Sequence, residues 1–330
     1  MAETLILEEK LVKEILQMKD VLPAVEGAFR EKGLGNVEMP PKMYIMYPAG
    51  DLRVMPAYLK NLKQSGLKAV TVFPNNPREK NIPTVLATVI LIDTESGAPL
   101  AVMGGSWLTA MRTGAAGGIA TKYLAKKNAK NVAFIGTGVQ AHTQLLAHRE
   151  VMKIRKVYAL DHSRKHTEEF VKFAQALGLE AEEAEMADAK RACADSDILV
   201  TTTPVHQPIV KNEWVHEGMH INAIGADAPG KEELEPEILK RSMIVIDDWE
   251  QASHSGEINV PISKKLIGRK DIHAELGEIV AGKKKGREGD SEITVFDSTG
   301  LGIQDIVTAT IVMNRAKAQN KGLRINLATL

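Results

Sequence analysis

A single cysteine, Cys193, stands in 330 residues. That excludes a framework of internal disulfides and makes a reducing compartment, the cytoplasm, the simplest setting. Aromatic residues make up only 4% of the chain, too few for platforms on which single-stranded nucleic acid stacks. Neither sign of charge is in excess, with 42 Lys and Arg against 42 Asp and Glu, so nothing attracts a polyanion. No apolar run approaches the roughly 18 residues of a membrane span. The opening M-A-E-T-L-I-L-E-E-K has alternating apolar residues but not the long apolar core of a signal peptide. No internal repeat or low-complexity tract is evident. The expectation is therefore a chain with neither nucleic-acid nor membrane partners, long enough for two domains with separate cores.

What is present is organised around Asn131–Ala141, N-V-A-F-I-G-T-G-V-Q-A. Val132–Ile135 is an apolar, strand-favouring run of the kind buried on both faces of a parallel sheet. Gly136, Gly138 and Ala141 follow at G-x-G-x-x-A spacing, and Val139–Val151 reads as a helix. The first glycine permits a tight turn, the second lets the backbone approach a pyrophosphate, and Ala141 allows helix and strand to pack closely. Val139 and Gln140 open the helix whose amides would face the phosphates. The next apolar run, Lys156–Leu160, ends in Asp161, where an acid meets the adenosine ribose diol. Strand, glycines, helix, second strand and terminal acid in this order predict dinucleotide binding rather than a merely tight turn. The charge of Asp161 would repel a 2′-phosphate, favouring NAD, although Ser163 and Arg164 leave NADP possible.

Ahead of this core, Leu5–Leu7 reads as a strand and Glu8–Lys32 as helix interrupted around Leu22–Pro23. Strand patterns follow at Met43–Met46, Leu52–Met55, Lys68–Phe73 and Thr84–Asp93, the last turning at Ser96-Gly97 into Pro99–Met103. Pro74–Pro77 reads as loop. This half is predicted to be α+β with antiparallel strands. Trp107–Lys126 reads as a helix with glycines at 114, 117 and 118. Each costs about 1 kcal/mol relative to alanine inside a helix, and two reasons stay open: close approach of backbone or cofactor, or a tight helix crossing. Beyond Asn131, strands alternate with helices (Lys165–Leu177 among them) through Ile198–Thr203, Ile221–Gly225, Met243–Asp247 and Ile293–Phe296. The segment Gly282–Gly289 reads as a solvated loop. The final helix, Ile303–Asn320, is expected to return to the first domain. The fold class is α/β: a Rossmann-type doubly wound parallel sheet over 114–302, plus an α+β substrate-binding and dimerisation domain over 1–113 that 303–330 rejoins.

A nicotinamide enzyme needs groups for substrate carboxylate, protons and cofactor, gathered at strand ends. Thr201 and Thr202 end one strand, Ala223, Ile224 and Gly225 the next, and all five are cofactor-facing candidates. Asp227 and Lys231 lie just past the latter in A-D-A-P-G-K, Lys231 as a further cofactor-facing candidate. Asp227 could equally form a turn or cap a helix at Glu232–Lys240. His254 and His273 lie too far apart to suggest a metal site, so no metal is expected.

Four motifs then carry a resemblance: Arg112–Ala120 (R-T-G-A-A-G-G-I-A), the G-T-G-V-Q-A loop, Gly225–Lys231 (G-A-D-A-P-G-K) and Asp297–Asp305 (D-S-T-G-L-G-I-Q-D). In this order, across essentially the whole chain, they resemble the ornithine cyclodeaminase/μ-crystallin family. Gly50–Pro56, His220–Asp227 and Gly256–Val260 look most like its archaeal alanine dehydrogenases. The resemblance implies a two-domain subunit and a homodimer built through the N-terminal domains. It implies that Asp227 donates and accepts the proton and that Lys68 polarises the substrate's carbonyl or imine. Arg112 is expected to reach the α-carboxylate or the cofactor. Thr84, Thr113, Val139, Gln140 and Ser298 match positions that touch the cofactor. Taken alone, Lys68 or Arg53 would read as an ordinary solvated charge.

One departure from the family's pattern bears on substrate. Cyclodeaminases acting on ornithine carry a glutamate two positions before the Met-Pro dipeptide, whereas here Arg53 precedes Val54-Met55-Pro56, and Lys42 replaces an upstream arginine. A cationic substrate tail 4 Å from a cation at intermediate dielectric meets about 4 kcal/mol of repulsion, a thousandfold loss. Lys42 and Arg53 suit a small anionic 2-oxo acid instead. The implied reaction is reversible NAD-dependent deamination of L-alanine to pyruvate and ammonia. Alternatives are a cyclic ketimine or pyrroline-2-carboxylate reductase, an ornithine cyclodeaminase, and a non-catalytic, crystallin-like dinucleotide-binding protein.

Overall fold

The computed structural model describes residues 3–327. The chain opens with β1 (Glu3–Leu7), α1 (Glu9–Ile15) and α2 (Met18–Leu34). Strands β2 (Val37–Glu38), β3 (Met43–Tyr47), β4 (Gly50–Leu59) and β5 (Gln64–Val72) lead to the short α3 (Asn76–Lys80). Next come β6 (Val85–Ile92), β7 (Pro99–Gly104) and α4 (Ser106–Leu124). The alternating stretch follows with β8 (Asn131–Ile135), α5 (Val139–Val151), β9 (Lys156–Leu160), α6 (Arg164–Ala176), β10 (Glu180–Glu183), α7 (Ala189–Ala194), β11 (Ile198–Thr201) and β12 (His220–Ala223). It continues through α8 (Pro236–Lys240), β13 (Met243–Ile246), α9 (Trp249–Ser255), α10 (Asn259–Ser263), β14 (Ile272–Glu275), α11 (Leu276–Val280) and β15 (Thr294–Asp297). Helix α12 (Gly302–Ala318) and β16 (Leu323–Asn326) end the chain. Among the described residues no helix is long and apolar enough to cross a membrane.

The first of two compact units takes the chain up to Arg112 and again from Leu301 onward. Its sheet runs β16-β1-β7-β6-β5-β4-β2, with β3 also paired to β4. All pairings are antiparallel except β1 on β7, a parallel pair that alternation alone does not foretell. Strands β4 and β5 alternate strictly: Arg53, Met55, Ala57 and Leu59 are buried, as are Gly66, Lys68 and Val70. Period-2 geometry puts such residues on one face. Helix α12 packs against β4, β5 and β6 as well as α2.

The second unit, Thr113–Gly300, holds eight strands in the order β10-β9-β8-β11-β12-β15-β13-β14. Every neighbouring pair is parallel. From β8 the chain moves one way to β9 and β10, then returns to β11 on the other side. This is the reversal that defines a doubly wound sheet and leaves a crevice at the strand ends. β8, β11, β12 and β15 are buried at every position, because helices cover both faces.

Four expectations need correction. The N-terminal helix breaks at Leu16–Gln17, both in extended conformation, whereas Pro23 lies inside α2. Burial of Val21, Leu22, Val25, Ala28 and Phe29 holds that turn despite the missing donor. Of the expected loop at 74–77, Asn76 and Pro77 open α3, the proline in its first turn. Only Pro236–Lys240 of the expected Glu232–Lys240 helix forms. Strands β2, β10, β14 and β16 lie outside the expected strands. β10 is E-A-E-E and β16 is mostly exposed, so neither carries an apolar alternation, as befits edge strands.

Candidate active site

In the first unit, β5 aims Lys68 into the face covered by α12, and its side chain is completely buried. The solvated-charge reading of this lysine is thereby excluded. Its Nζ donates to Asp305 Oδ1 at 2.8 Å, and Arg112 Nε donates to the same oxygen at 3.0 Å. Arg112 Nη1 also reaches Gln304 Oε1 at 3.0 Å. Two cations thus share one carboxylate, leaving a net positive charge in a dry place. Burial and the neighbouring Arg112 push the Lys68 ammonium down to about 7, Asp305 opposing them and Lys42 adding to the depression.

Arg53 lies on the same face of β4, and Met55, two residues on, stands opposite Lys68. Its guanidinium grips Asp51 with Nε–Oδ1 2.8 Å and Nη2–Oδ2 3.1 Å and covers the ring of Tyr44. Arg53 is therefore not the uncompensated cation that the sequence suggests. Asp51, two residues earlier and hence on the same face, compensates it, so the excess positive charge resides on Lys68 and Arg112. Thr84 precedes β6, where its carbonyl accepts from Phe73 N–H at 2.9 Å.

In the second unit the glycine loop is built as its spacing demands. Gly136 sits at φ +87°, where side chains are disfavoured, and a Cβ there would press on Thr202 and Thr203. Thr202 Oγ1 donates to Gly136 O at 2.8 Å. A Cβ on Gly138 would meet nothing within 4 Å, and α5 begins at the next residue with no side-chain cap. Val139 there is 63% exposed, and Gln140 follows. An uncapped, open helix start is a fitting cradle for a pyrophosphate. Asp161, at the tip of β9, takes Thr137 N–H at 2.8 Å on one oxygen and Ser163 N–H at 2.8 Å on the other. Burial works against its charge, but these amide bonds hold the carboxyl below its usual range. Ser298, just past β15, is buried, and its Oγ has no partner among the described residues. Together the open amides, the ionised acid and the orphaned hydroxyl fit a dinucleotide.

The small residues of α4 have the blander explanation. A Cβ at Gly118 would lie 2.8 Å from that of Ala147, one at Gly114 would strike the Thr143 carbonyl, and one at Gly117 would strike the Gln144 amide. A tight crossing with α5 therefore requires them. The Thr113 carbonyl accepts Gln144 Nε2 at 3.0 Å across that crossing.

Past β12, Asp227 is neither a helix cap nor isolated. Lys231 Nζ donates to its Oδ1 at 2.6 Å, and the turn is pinned by Asn259, which accepts from Gly230 N–H and donates to Lys231 O. Glu233 is pulled into the core instead of opening a helix. Its carboxylate accepts from Thr201 Oγ1, Gly225 N–H, and both the N–H and Oγ1 of Thr203, at 2.7–2.9 Å. It thus ties the ends of β11 and β12. The Ile224 N–H bonds back to Thr201 O, and Ala223 O accepts from Ser298 N–H. Glu257 in turn accepts from the N–H groups of Glu233 and Leu234. Burial and the Glu233 charge push Glu257 well above the normal carboxyl range.

Sequence reasoning named Lys68 and Arg112, and the fold brings them together. It did not name Asp305, Asp51, Glu233, Glu257 or Asn259, although all but Glu233 lie within motifs that carry the resemblance.

Comparison with known proteins agrees with this architecture. Residues 2–320 match the model of the ornithine cyclodeaminase/mu-crystallin family. An alanine dehydrogenase of Archaeoglobus fulgidus is 51% identical over 323 residues, 98% of each chain. The solved structure of an archaeal alanine dehydrogenase dimer with bound NAD superposes with a TM-score of 0.95 at 51% identity, covering 98% of this chain and 99% of that one. The Δ1-pyrroline-2-carboxylate reductase of Thermococcus litoralis, solved with NADH and L-proline, gives 0.94 at 40% identity, over 98% and 100%. With its signature loops in place and the match running almost end to end, this chain belongs to the ornithine cyclodeaminase/mu-crystallin family.

Proposed function

We propose that this protein is an NAD-dependent alanine dehydrogenase, interconverting L-alanine with pyruvate and ammonia. The observation that carries the reading is the buried pair of cations, Lys68 and Arg112, which share the one carboxylate of Asp305. Such a site favours a small anion and disfavours the cationic tail of ornithine. The full-length likeness to an alanine dehydrogenase supports the same substrate. NAD, when bound along the glycine loop and Asp161, would supply the acceptor for the hydride of the alanine Cα–H. The chain's own groups do the rest. Arg112 offers a planar guanidinium to the carboxylate and fixes the Cα–H direction. The Lys68 ammonium stabilises charge developing on the reacting nitrogen or oxygen, and Lys42, whose charge is felt at Lys68, adds to the anion's attraction. Asp227 removes a proton from water as it adds to the imine carbon, then returns it to the departing amine. Lys231, bonded to Asp227, holds that carboxylate in place.

Cofactor contacts fall on Gly136, Gly138, Val139 and Gln140 for the phosphates and on Asp161 for the adenosine ribose. Thr84, Thr113, Thr201, Thr202, Ala223, Ile224, Gly225 and Ser298 complete the set. Arg164 is engaged by Glu168 at 2.9 Å, which supports NAD over NADP. A homodimer is favoured by the relative's assembly and by the exposed Met43, Ile45, Met46 and Tyr47 of β3. Cys193 is buried and pushed up to about 12, in keeping with a reduced, cytoplasmic protein.

The competing reading is a cyclic-imine reductase, favoured by the Thermococcus relative. NADH oxidation with pyruvate plus ammonia, set beside oxidation with Δ1-pyrroline-2-carboxylate, separates the two. Turnover of pyruvate with ammonia is expected, and an absolute preference for the cyclic imine would end the alanine reading.

A further inference from the structure

We propose that Asp305 is a positioning residue of this reaction: its Oδ1, shared by Lys68 Nζ and Arg112 Nε, fixes the two cations as one platform and keeps the lysine protonated. This rests on the reading of Lys68 as the group that polarises the substrate. Three observations support it. The bonds of 2.8 and 3.0 Å converge on a single oxygen, and neither Lys68 nor Asp305 is exposed to water. Asp305 stands in the first turn of α12, where the helix dipole favours a carboxylate. The start of that helix lies close against β4, since a Cβ on Gly302 would lie 3.1 Å from the Met55 and Pro56 carbonyls.

The charges facing Lys68 come from several elements: Arg112 on α4, Asp305 on α12, and Lys42 ahead of β3. Arg53 on β4 shares its face with its own partner, Asp51. β6 places only the apolar Val89 opposite it. Asp305 is thus the group that opposes burial and the other cations. Without it, two buried cations would face each other and the lysine would release its proton at lower pH.

The test is pyruvate titrated, without ammonium, into the enzyme–NADH complex between about pH 6 and pH 9, followed by NADH fluorescence. In the wild type, affinity should fall on the alkaline side as Lys68 loses its proton, and Lys68→Met should abolish that limb. Asp305→Asn should move the limb down by about one pH unit or more, a tenfold loss at a fixed pH above it. Asp305→Glu, keeping the charge, should leave the limb at the wild-type position while weakening binding. An unshifted limb in Asp305→Asn overturns the proposal. If that variant does not fold, a limb displaced in Asp305→Glu overturns it and an unmoved one supports it. A wild-type enzyme that reduces the cyclic imine yet binds no pyruvate removes the parent reading and this one together. A shift confined to Asp305→Asn in an enzyme active on pyruvate and ammonia upholds both.

Discussion

Lys68 shows why a residue's setting outweighs its type. On β5 the buried positions are Gly66, Lys68 and Val70, while the apolar Leu67 and Ala69 occupy the other face. Apolar residues on both faces hide the alternation, and a lone lysine then reads as solvent-facing. Asp227 is a different case, since its turn, held by Pro229, Gly230 and Asn259, leaves its side chain partly open at 35% exposure. A proton-transferring carboxylate contributes typically about 10²–10⁴-fold. Asp227→Asn, which keeps the shape and the bond-accepting oxygen, should lower kcat by that order. NADH affinity, read by fluorescence, should stay within about threefold, because roughly 0.6 kcal/mol or less is then at stake. A variant retaining full amination rate would remove Asp227 from the chemistry.

Helix α4 owes its glycines to its neighbour. Gly114, Gly117 and Gly118 lie where any Cβ would meet α5 residues Thr143, Gln144 and Ala147. Overpacking such a contact costs about 1–3 kcal/mol. Gly118→Val should therefore lower the melting temperature by several degrees, measured by calorimetry, and an unchanged melting temperature would mean the crossing is looser than drawn. Elements of this kind were legible where local pattern and tertiary role agree. The glycine loop, α5 and β9 have the bounds that spacing predicted, because a strand buried on both faces leaves a continuous apolar run. Legibility failed where a distant partner decided. The Glu232–Glu235 segment, rich in helix formers, stays extended because Glu233 is drawn to Thr201, Thr203 and Gly225, and Leu234 bridges to Val210. Asp305 was visible in a quoted motif, but its role depends on Lys68, 237 residues earlier.

The second unit also stakes its stability on a polar chain within its core. Thr121, His148, Asn222, His220 and Thr294 are linked by hydrogen bonds of 2.9–3.2 Å, and Asn222 also donates to Thr121. Burial pushes His148 down to about 4 and His220 to about 3. The unfolded imidazoles take up protons below about pH 6.5, while the folded ones do not until far lower. Between those limits the unfolded state binds more protons, so stability must fall as pH falls. The melting temperature should drop progressively from about pH 7 to pH 4, and His148→Gln should flatten part of that slope; an equally steep decline in the variant would assign it elsewhere. The first unit carries a different constraint, since α12 and β16 complete it from beyond the second unit in sequence while its other strands precede that unit. When the ribosome has translated as far as Gly300, every strand of the second unit has been made. At that moment Lys68 has no α12 above it and no counter-ion. The nascent first unit is left with a bare, lysine-bearing sheet face until α12 emerges, so its cover arrives only after the whole of the second unit.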